Sequence, residues 1–411
     1  MLFELPRELI ERIIGLISDT KTYINLRCSC QDLYRLMPNI KVFYKNGKLK
    51  KIISIRDHQR NGYVVSWYIN GFQKDINLYR NNIRHGLYKQ WYSNGILKYH
   101  GDYINGKRFG YHQRWYYYGE LFSRVFYLQD NKVDYETIFY DNGNIFMSSY
   151  YRNGIQNGYV KKYWDNNNKY KEYILNDGIR DGIYREWYYN GQIKLSCEYK
   201  KGLLDGQYID WHSNGNIKTR YSIINDLKDD LYQEWYYNGN LKIKCYYVLG
   251  KLYGTFISKY PDGTLKSDLY YINGKMDGRV LLFYPNGNLQ IKYRVKNGKR
   301  NGMFQEFYDD FKNKSRMYYI NDKLDGIYTN WYPNGQIKER RTYVNFNVQK
   351  CEKWYSNGQI MASYCNLPPN LVYYYYWNPD GYMTHSCLFH NEIAHIHDMD
   401  ISNYITHSNI L

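Results

Sequence analysis

Lysine and tryptophan recur along the chain at matching positions. Lysine stands three residues after a glycine at Lys194, Lys218, Lys242 and Lys338, and also at Lys50, Lys74, Lys98 and Lys266. Tryptophan recurs at the position expected to lie opposite these lysines on the paired strand: Trp67, Trp91, Trp187, Trp211, Trp235 and Trp331. An ammonium group beside an indole can stack on rings and neutralise phosphates or carboxylates. The pattern predicts a candidate ligand face, although lysine stems that simply cover cross-strand rings explain the same spacing.

Other reactive side chains suggest structure rather than catalysis. Asp181, Asp205, Asp277 and Asp325 each precede a glycine, which is typical of turn formers. The histidines and cysteine near the end do not have zinc-ligand spacing and are interpreted as part of a terminal cap: His385, Cys387, His390, His395, His397 and His407. A P-loop, a nucleophile elbow and an HExxH motif are all lacking. We therefore expect no enzyme, no catalytic residue, no metal site and no cofactor.

Charge and cysteine usage bear on partners and compartment. Lys and Arg outnumber Asp and Glu by 56 to 39, which gives a formal charge of +17. This excess fits an anionic partner, and it fits a lysine-rich soluble surface equally well. The cysteine count is odd, at 7, without a CxxC pair or a secretory signal, so a reducing, cytoplasmic location is expected. Apolar runs fall well short of the roughly 20 residues that span a bilayer.

A 24-residue period organises most of the chain. Glycines stand 24 residues apart, or a multiple of 24, at Gly47, Gly71, Gly95, Gly119, Gly143, Gly191, Gly215, Gly239, Gly263, Gly287 and Gly335. A second series keeps the same spacing through Gly62, Gly86, Gly110, Gly158, Gly182, Gly206, Gly254, Gly278, Gly302 and Gly326. Such regularity indicates stacked supersecondary units that share one continuous core.

The segment from Gly182 to Asp205 shows how one unit is expected to fold. Asn190-Gly191 matches the signal of a two-residue type I′ hairpin turn, and Lys201 to Gly206 is expected to form a longer return turn. This register pairs Tyr188 with Ile193, Trp187 with Lys194, Glu186 with Leu195 and Tyr184 with Cys197. Alternation then buries Tyr184, Tyr188, Ile193, Leu195, Cys197 and Tyr199 on one face, with Glu186 as a misfit. Cys197 and Cys245 occupy equivalent slots and are expected to be small packing residues.

The unit G-x-Y-x-x-W-Y-x-N-G-x-(L/I)-K resembles the MORN repeat. Good examples are GLYKQWYSNGILK from Gly86 to Lys98 and GIYTNWYPNGQIK from Gly326 to Lys338. The resemblance implies a mainly β fold, in which about fourteen hairpins form an elongated meander sheet over residues 41–381, followed by a cap at 382–411. MORN arrays are scaffolds linked variously to membranes, phospholipids and proteins, so binding is the implied activity.

The N-terminal segment departs from the period and has helical apolar spacing at Leu9, Ile10, Ile13, Ile14 and Ile17. It resembles an F-box, whose pattern is met by Leu5, Pro6, Glu8, Leu9, Ile13, Ile17, Leu26 and Arg27. The resemblance implies that residues 1–40 form a small helical module that docks on the Skp adaptor of a cullin-RING ubiquitin ligase. Adaptor contacts would come from Leu5, Pro6, Leu9, Ile13, Ile17 and Leu26. The alternative is that these helices only cap the first hairpin.

Two functional hypotheses follow from the sequence. The first is a substrate-recognition adaptor of an SCF-type ligase, with the Skp adaptor and cullin as partners and the repeats holding an unknown protein substrate. The second is a non-ligase scaffold that binds anionic lipid or protein. Sequence-specific nucleic-acid binding is not expected, because neither a recognition helix nor an aromatic RNP motif is present. The combination resembles F-box and MORN-repeat proteins of giant DNA viruses of amoebae, which would place it in the host cytoplasm and in host–virus interaction.

Overall fold

A computed structural model describes residues 39–367 and 371–390. These residues contain β-strands and turns but no helix, and accordingly none of their segments is a helix capable of crossing a bilayer. The chain divides into two compact units, which meet in sequence at Gly215 and Asn216. The predicted F-box-like helices, and the adaptor contacts assigned to them, lie outside the described residues.

The first unit is an antiparallel meander in which each strand pairs with the next along the chain. Its strands are β1 Asn39–Phe43, β2 Leu49–Arg56, β3 Gln59–Trp67, β4 Gln73–Arg80, β5 Ile83–Trp91, β6 Leu97–Ile104, β7 Lys107–Trp115, β8 Leu121–Leu128, β9 Asn131–Phe139, β10 Ile145–Arg152, β11 Ile155–Tyr163, β12 Lys169–Asn176, β13 Ile179–Trp187, β14 Ile193–Lys200 and β15 Leu203–Trp211. Since the described pairings join only sequence neighbours, this sheet does not close on itself.

The second unit repeats the same pattern, with three strands interrupted near their starts. Its strands are β16 Ile217–Ile224, β17 Leu227–Trp235, β18 Leu241–Val248, β19 Lys251–Leu252, β20 Gly254–Lys259, β21 Leu265–Ile272, β22 Lys275–Phe283, β23 Leu289–Lys296, β24 Lys299–Arg300, β25 Gly302–Phe307, β26 Asn313–Ile320, β27 Lys323–Leu324, β28 Gly326–Trp331, β29 Ile337–Val344, β30 Asn347–Trp354, β31 Ile360–Leu367, β32 Leu371–Trp377 and β33 Met383–His390. The predicted meander is thus confirmed in each unit. Strand β33, which lies in the segment predicted as a cap, pairs with β32 and continues the meander.

The turn at Asn190-Gly191 is not the predicted type I′ turn. The Gly191 amide donates to the Tyr188 carbonyl, and the Tyr188 amide donates to the Gln192 carbonyl. Gly191 alone is left-handed, with φ 85°, whereas Asn190 is not among the positive-φ residues. This is a three-residue loop, in which a type I turn is followed by a left-handed glycine that forms a bulge. The preference for Asn has another cause: its Oδ1 accepts the Gln192 amide, and its Nδ2 donates to the Ser213 carbonyl of the next hairpin.

The type I′ turn lies at the other end of the 24-residue repeat, between β14 and β15. Lys201 and Gly202 both have positive φ, 50° and 88°, and Lys200 pairs directly with Leu203. The expected long turn from Lys201 to Gly206 is therefore wrong, because its second half belongs to β15. Asp205 and Gly206 instead form a bulge, in which the pairing moves from Tyr199–Leu204 to Cys197–Tyr208. The second glycine series marks strand bulges rather than turns.

The three-residue loop also corrects the register near the turn. Glu186 pairs with Leu195 and Tyr184 with Cys197, as predicted. The register shifts by one residue between Glu186 and Trp187, so Trp187 pairs with Ile193 and not with Lys194. Lys194 is the extra residue of the bulge, which decides where its side chain lies.

A ladder of tyrosine hydroxyls joins successive hairpins. Each hydroxyl donates to a main-chain carbonyl 23 residues downstream at Tyr44, Tyr68, Tyr92, Tyr116, Tyr140, Tyr188, Tyr236, Tyr260, Tyr284 and Tyr308. In two shorter repeats the hydrogen bond spans 22 residues instead of 23, and its donors are Tyr332 and Tyr355. The slot of residue 164 holds a tryptophan, whose buried indole nitrogen has no hydrogen-bond partner within the described part of the chain. The ladder explains why tyrosine is so abundant at this position.

Replacing Tyr188 with phenylalanine is expected to lower the free energy of unfolding by about 1 kcal/mol, the usual net value of such a hydrogen bond. The ring stays in place, while the 2.7 Å bond to the Trp211 carbonyl is lost. Urea unfolding of the full chain would measure the change. The matched control is Tyr189→Phe, because Tyr189 is exposed by 54% and should respond little. Equal effects of both changes would contradict a structural role for the ladder.

Candidate binding faces of the sheet

The two faces of the sheet differ in burial. Tyr184 and Cys197 lie on one, called here the tyrosine face, and alternation places Arg185 and Ser196 on the opposite face. The middle of the tyrosine face in the first unit is a largely buried row of residues, one from each successive strand: Val64, Asn77, Tyr88, Gly101, His112, Val125, Glu136, Ser149, Val160, Tyr173, Tyr184, Cys197 and Tyr208. The predicted buried face is confirmed for Tyr184 and Cys197, which are 6% and 2% exposed.

The cysteines and the misfit glutamate of this face are stabilised in different ways. Cys197 and Cys245 are buried free thiols, and burial raises the pKa of each to about 11, so both are unreactive packing residues as expected. The misfit Glu186 accepts a hydrogen bond from the Tyr184 hydroxyl and lies 2.8 Å from the Lys171 ammonium. Burial raises the pKa of Glu186, but the bonds from Lys171 and Tyr184 outweigh it and hold that pKa below its usual range.

The lysines of the predicted ligand face lie over tyrosine rings rather than tryptophan rings. The ammonium groups are 5.3 to 6.0 Å from tyrosine centroids for Lys50, Lys74, Lys98, Lys194, Lys242, Lys266 and Lys338. As a bulge residue, Lys194 turns towards the tyrosine face, where it lies 3.5 Å from Glu186. Lys242 likewise lies 2.6 Å from Glu234. These ammonium groups are already stabilised by the protein's own rings and carboxylates.

The tryptophans of the predicted stripe lie on the opposite face. The cross-strand partner is Gln73 for Trp67, Leu97 for Trp91, Ile193 for Trp187, Leu241 for Trp235 and Ile337 for Trp331. These indoles, like that of Trp211, are partly buried. The described contacts therefore separate Lys194 from Trp187 and do not bring the lysines and tryptophans into one stripe. A ligand-binding role for Lys218 and for the other residues of the two sets stays a prediction.

A further set of cations was missed in the sequence. Arg180 lies 5.0 to 5.6 Å from the rings of Tyr173, Tyr184 and Tyr199. Lys228 has the same relation to three tyrosines, at 4.4 to 5.4 Å. In the sequence, these cations stand two residues before the glycine of the second series or the aspartate that replaces it: Arg60, Arg84, Arg108, Lys132, Arg180, Lys228 and Arg300. Part of the positive charge thus stabilises the protein's own aromatic rows rather than an external partner.

The opposite face of the second unit carries a compact basic group: Arg279, Lys292, Arg294 and Arg316. All four side chains are exposed. Arg279 and Arg294 are directly opposite across β22 and β23, and Lys292 shares a face with Arg294. Arg279 is paired with Asp268 at 2.8 Å, whereas the other three have no ion pair among the residues that the structure covers. Because like charges opposite one another destabilise a sheet, stability does not explain this group.

Two of the four acidic residues before glycines, Asp181 and Asp277, accept hydrogen bonds from turns further along the chain. Asp181 accepts a hydrogen bond from the Lys201 amide and Asp277 from the Asn297 amide, each 20 residues downstream. Both acceptors bond the first residue of a type I′ turn in the next hairpin. Among residues 39–367 and 371–390, groups of three or more possible metal ligands do not occur.

The buried row departs from the repeat most strongly at Gly101 and His112. The His112 ring is 3% exposed and lies over Gly101. Its Nδ1 is hydrogen-bonded to the Tyr99 hydroxyl, and its Nε2 lies 2.9 Å from the Asp102 carbonyl. These partners fit a neutral ring that accepts at Nδ1 and donates from Nε2. Burial lowers the pKa of His112, because it disfavours the imidazolium form.

His112 is expected to make the first unit less stable in mild acid. Its pKa in the unfolded chain is the ordinary value of about 6.5, above the folded value. Below that pH the unfolded state binds a proton that the folded state does not, so stability falls until the folded pKa is passed. Urea unfolding between neutral pH and pH values below 6.5 would measure this loss. The variant His112→Gln should lose the part of the slope that belongs to the imidazole, and unchanged slopes would contradict this assignment.

Five segments of the chain match the family model described as "MORN repeat variant": residues 84–105, 180–201, 252–273, 276–297 and 324–345. The repeat resemblance is thereby confirmed, while no F-box is detected in the N-terminal segment. No curated protein matches the chain significantly, so the resemblance to giant-virus proteins stays a prediction.

Solved structures match the chain with low scores. The crystal structure of TcdB2-TccC3 aligns over 86% of this chain and 28% of its own chain, at 9% identity and a TM-score of 0.13. The crystal structure of TcdB2-TccC3 without its hypervariable C-terminal region aligns over 90% and 26%, at 11% identity and a TM-score of 0.15. The chain therefore spans little more than a quarter of those solved chains.

Proposed function

Taking the MORN-variant repeats as the premise, we propose that this protein is a substrate-recognition adaptor of a cullin-RING ubiquitin ligase of the SCF type. Residues 1–40 would bind the Skp adaptor, and the hairpin array would hold a protein substrate in the cytoplasm. One observation carries the proposal: the first described strand, β1 at Asn39–Phe43, follows closely in sequence after the segment with the F-box pattern. A platform that starts so close to the docking segment would present its substrate at a short distance from the ligase.

The chemistry of the array supports a binding platform over a reaction centre. Exposed rings recur on the opposite face, for example Tyr111, Tyr135 and Tyr159, at 43%, 55% and 54%. Such rings, alternating with polar side chains, supply contact area for a protein partner at low conformational cost. Because three successive hairpins contribute these rings, a substrate could engage several repeats at once and gain affinity from each.

Affinity purification of the full-length protein tests the ligase proposal. Wild type should recover the Skp adaptor and a cullin, whereas Leu9→Ala combined with Ile13→Ala should lose both and keep partners of the array. The matched control, Glu11→Ala combined with Arg12→Ala, leaves the apolar positions of the same segment intact and should behave as wild type. Failure of wild type to recover the adaptor, where a known F-box protein succeeds, would reject the proposal.

A second candidate is a non-ligase scaffold that binds anionic lipid or protein. The basic group of Lys292, Arg294 and Arg316 favours it, because these three exposed cations have no described ion pair, and Arg316 shares a strand face with the exposed ring of Tyr318. Cosedimentation with anionic vesicles and binding to an acidic protein would be compared at low and high salt. Lys292→Gln with Arg294→Gln should weaken binding, while the control Lys200→Gln with Lys201→Gln should not. Equal losses in both variants would indicate only general charge attraction.

A further inference from the structure

A cavity of about 220 Å³ opens on the tyrosine face of the first unit, between strands β6 and β9. Three neighbouring rows of side chains line it. The first row contributes Tyr99, Arg114 and Ser123, which are consecutive cross-strand partners. The second contributes His112 and Glu136, and the third Arg108 and Lys132. The cavity is thus made by four adjacent strands of one unit rather than by a flexible loop.

The local break in the repeat helps to open this space. The positions equivalent to Gly101 one period away are Asn77 and Val125, and both carry side chains into the row. At Gly101 the missing side chain lets the His112 ring tilt over the backbone. Both ring nitrogens of His112 are engaged, by Tyr99 and by the Asp102 carbonyl, so His112 forms a wall and does not itself offer a free hydrogen bond.

The charges that line the cavity do not balance. Arg108 is paired with Asp130 at 2.9 Å, and Lys132 with Glu136 at 2.6 Å. Arg114 has neither a hydrogen bond nor an ion pair within residues 39–367 and 371–390, although it adjoins the buried Ser123. The exposed Arg114 guanidinium is therefore the cation of the lining without a described anionic partner, and a carboxylate or phosphate in the cavity would supply one.

We propose that this cavity binds a small oxyanion of the phosphate or carboxylate type, held by the Arg114 guanidinium and the Ser123 hydroxyl. The planar guanidinium bonds two oxygens of one anion, and the hydroxyl donates to a third oxygen of a phosphate or to one of the same two oxygens of a carboxylate. The volume is below the range of roughly 300 to 1,000 Å³ typical of sites for drug-sized ligands, and it suits a phosphate group or a short carboxylate. Lys132 offsets the Glu136 carboxylate in the lining, so that Arg114 is the cation left for the anion. The site is proposed independently of the ligase role, since its described lining residues lie in strands β6 to β9.

Isothermal titration of the full-length protein with inorganic phosphate, acetate and a phosphoserine peptide tests the site and separates its sources. Arg114→Gln should weaken binding roughly tenfold or more, as expected when a charge-assisted hydrogen bond is lost. Ser123→Ala should produce a smaller loss. The matched control is Arg124→Gln, which removes the same charge from the opposite face of β8 and should leave binding unchanged. Unfolding curves of all variants establish that each remains folded.

The titrations distinguish a free small ligand from a phosphate carried by a protein partner. Binding of the free anions that depends on Arg114 supports a site for a free small ligand, and binding of the peptide alone, with the same dependence, supports a phosphate carried by a partner. Absence of binding by wild type to all three probes at millimolar concentration would overturn the proposal. It would also be overturned if Arg124→Gln weakened binding as much as Arg114→Gln, because the attraction would then be general surface charge.

Discussion

Replacing Gly101 with alanine is expected to destabilise the first unit by about 2 to 3 kcal/mol, because the new methyl group overpacks a closed site. A Cβ built at Gly101 would lie 2.7 Å from Cγ of His112, with two other ring atoms closer still. The ring cannot retreat easily, since it is 3% exposed and hydrogen-bonded through both nitrogens. Urea unfolding, together with hydrogen exchange of β6 and β7, would measure the loss.

The control for this prediction is the same substitution made in a His112→Ala background. Gly101 does not need a positive φ, so alanine fits its backbone once the imidazole is gone. Glycine costs a strand interior roughly 0.5 to 1 kcal/mol relative to alanine, so the substitution should then be neutral or stabilising. A change of sign between the two backgrounds would identify the ring contact as the cause. Equal destabilisation in both backgrounds would refute it.

Truncation of Tyr184 to alanine should cost about 3 to 5 kcal/mol, the range for large aromatic truncations in a core. The ring is 6% exposed, lies 5.8 Å from Tyr173 and 5.9 Å from Tyr199, and has Arg180 above it at 5.0 Å. Removing it leaves a cavity in the buried row and takes away one of the rings that surround Arg180. The loss should appear in hydrogen exchange as local opening of β12 to β14, since repeat arrays unfold partly unit by unit.

Two milder substitutions separate the contributions of Tyr184. Tyr184→Phe keeps the packing and removes only the hydroxyl bond to Glu186, so a loss of about 1 kcal/mol is expected. Tyr189→Ala, in a residue exposed by 54%, should change stability by less than about 0.5 kcal/mol. If Tyr184→Ala cost no more than Tyr189→Ala, the buried row would not be the core of this unit.

The period of the sequence was sufficient to predict the meander, but not the chemistry of its turns. Asn190-Gly191 looks like a type I′ pair because both residues tolerate positive φ. In the structure the Asn190 side chain instead bonds Gln192 and the Ser213 carbonyl, the latter 23 residues away. A preference created by a contact between hairpins cannot be recognised from two adjacent letters. The resulting one-residue shift placed Lys194 on the wrong face, which is why the predicted lysine and tryptophan stripe is split.

The residues that form the cavity in the first unit stand out in the sequence only when equivalent positions of the 24-residue repeat are compared. Gly101 and His112 stand where other units have Asn77 or Val125, and Tyr88 or Tyr184. Each departure alone resembles ordinary variation within a repeat. Their meaning depends on register: the bulge between β6 and β7 brings Gly101 and His112 together, and the pairing of β7 with β8 places Arg114 opposite Ser123. The bulge between β6 and β7 follows the tight turn at Asn105-Gly106, whereas the sequence pattern had assigned a long turn to the equivalent segment from Lys201 to Gly206.

The tyrosine ladder has a consequence for how an array of this kind can change length. Every hydroxyl reaches a carbonyl one repeat further on, so deletion or duplication of a whole 24-residue block reconnects equivalent atoms and leaves no donor stranded. The shorter interval of 22 residues at Tyr332 and Tyr355 indicates that the loss of a single residue can be absorbed within a strand. Variants that differ by complete hairpins should therefore fold alike. The number of repeats can change in evolution while the hydrogen bonds between neighbouring hairpins are preserved.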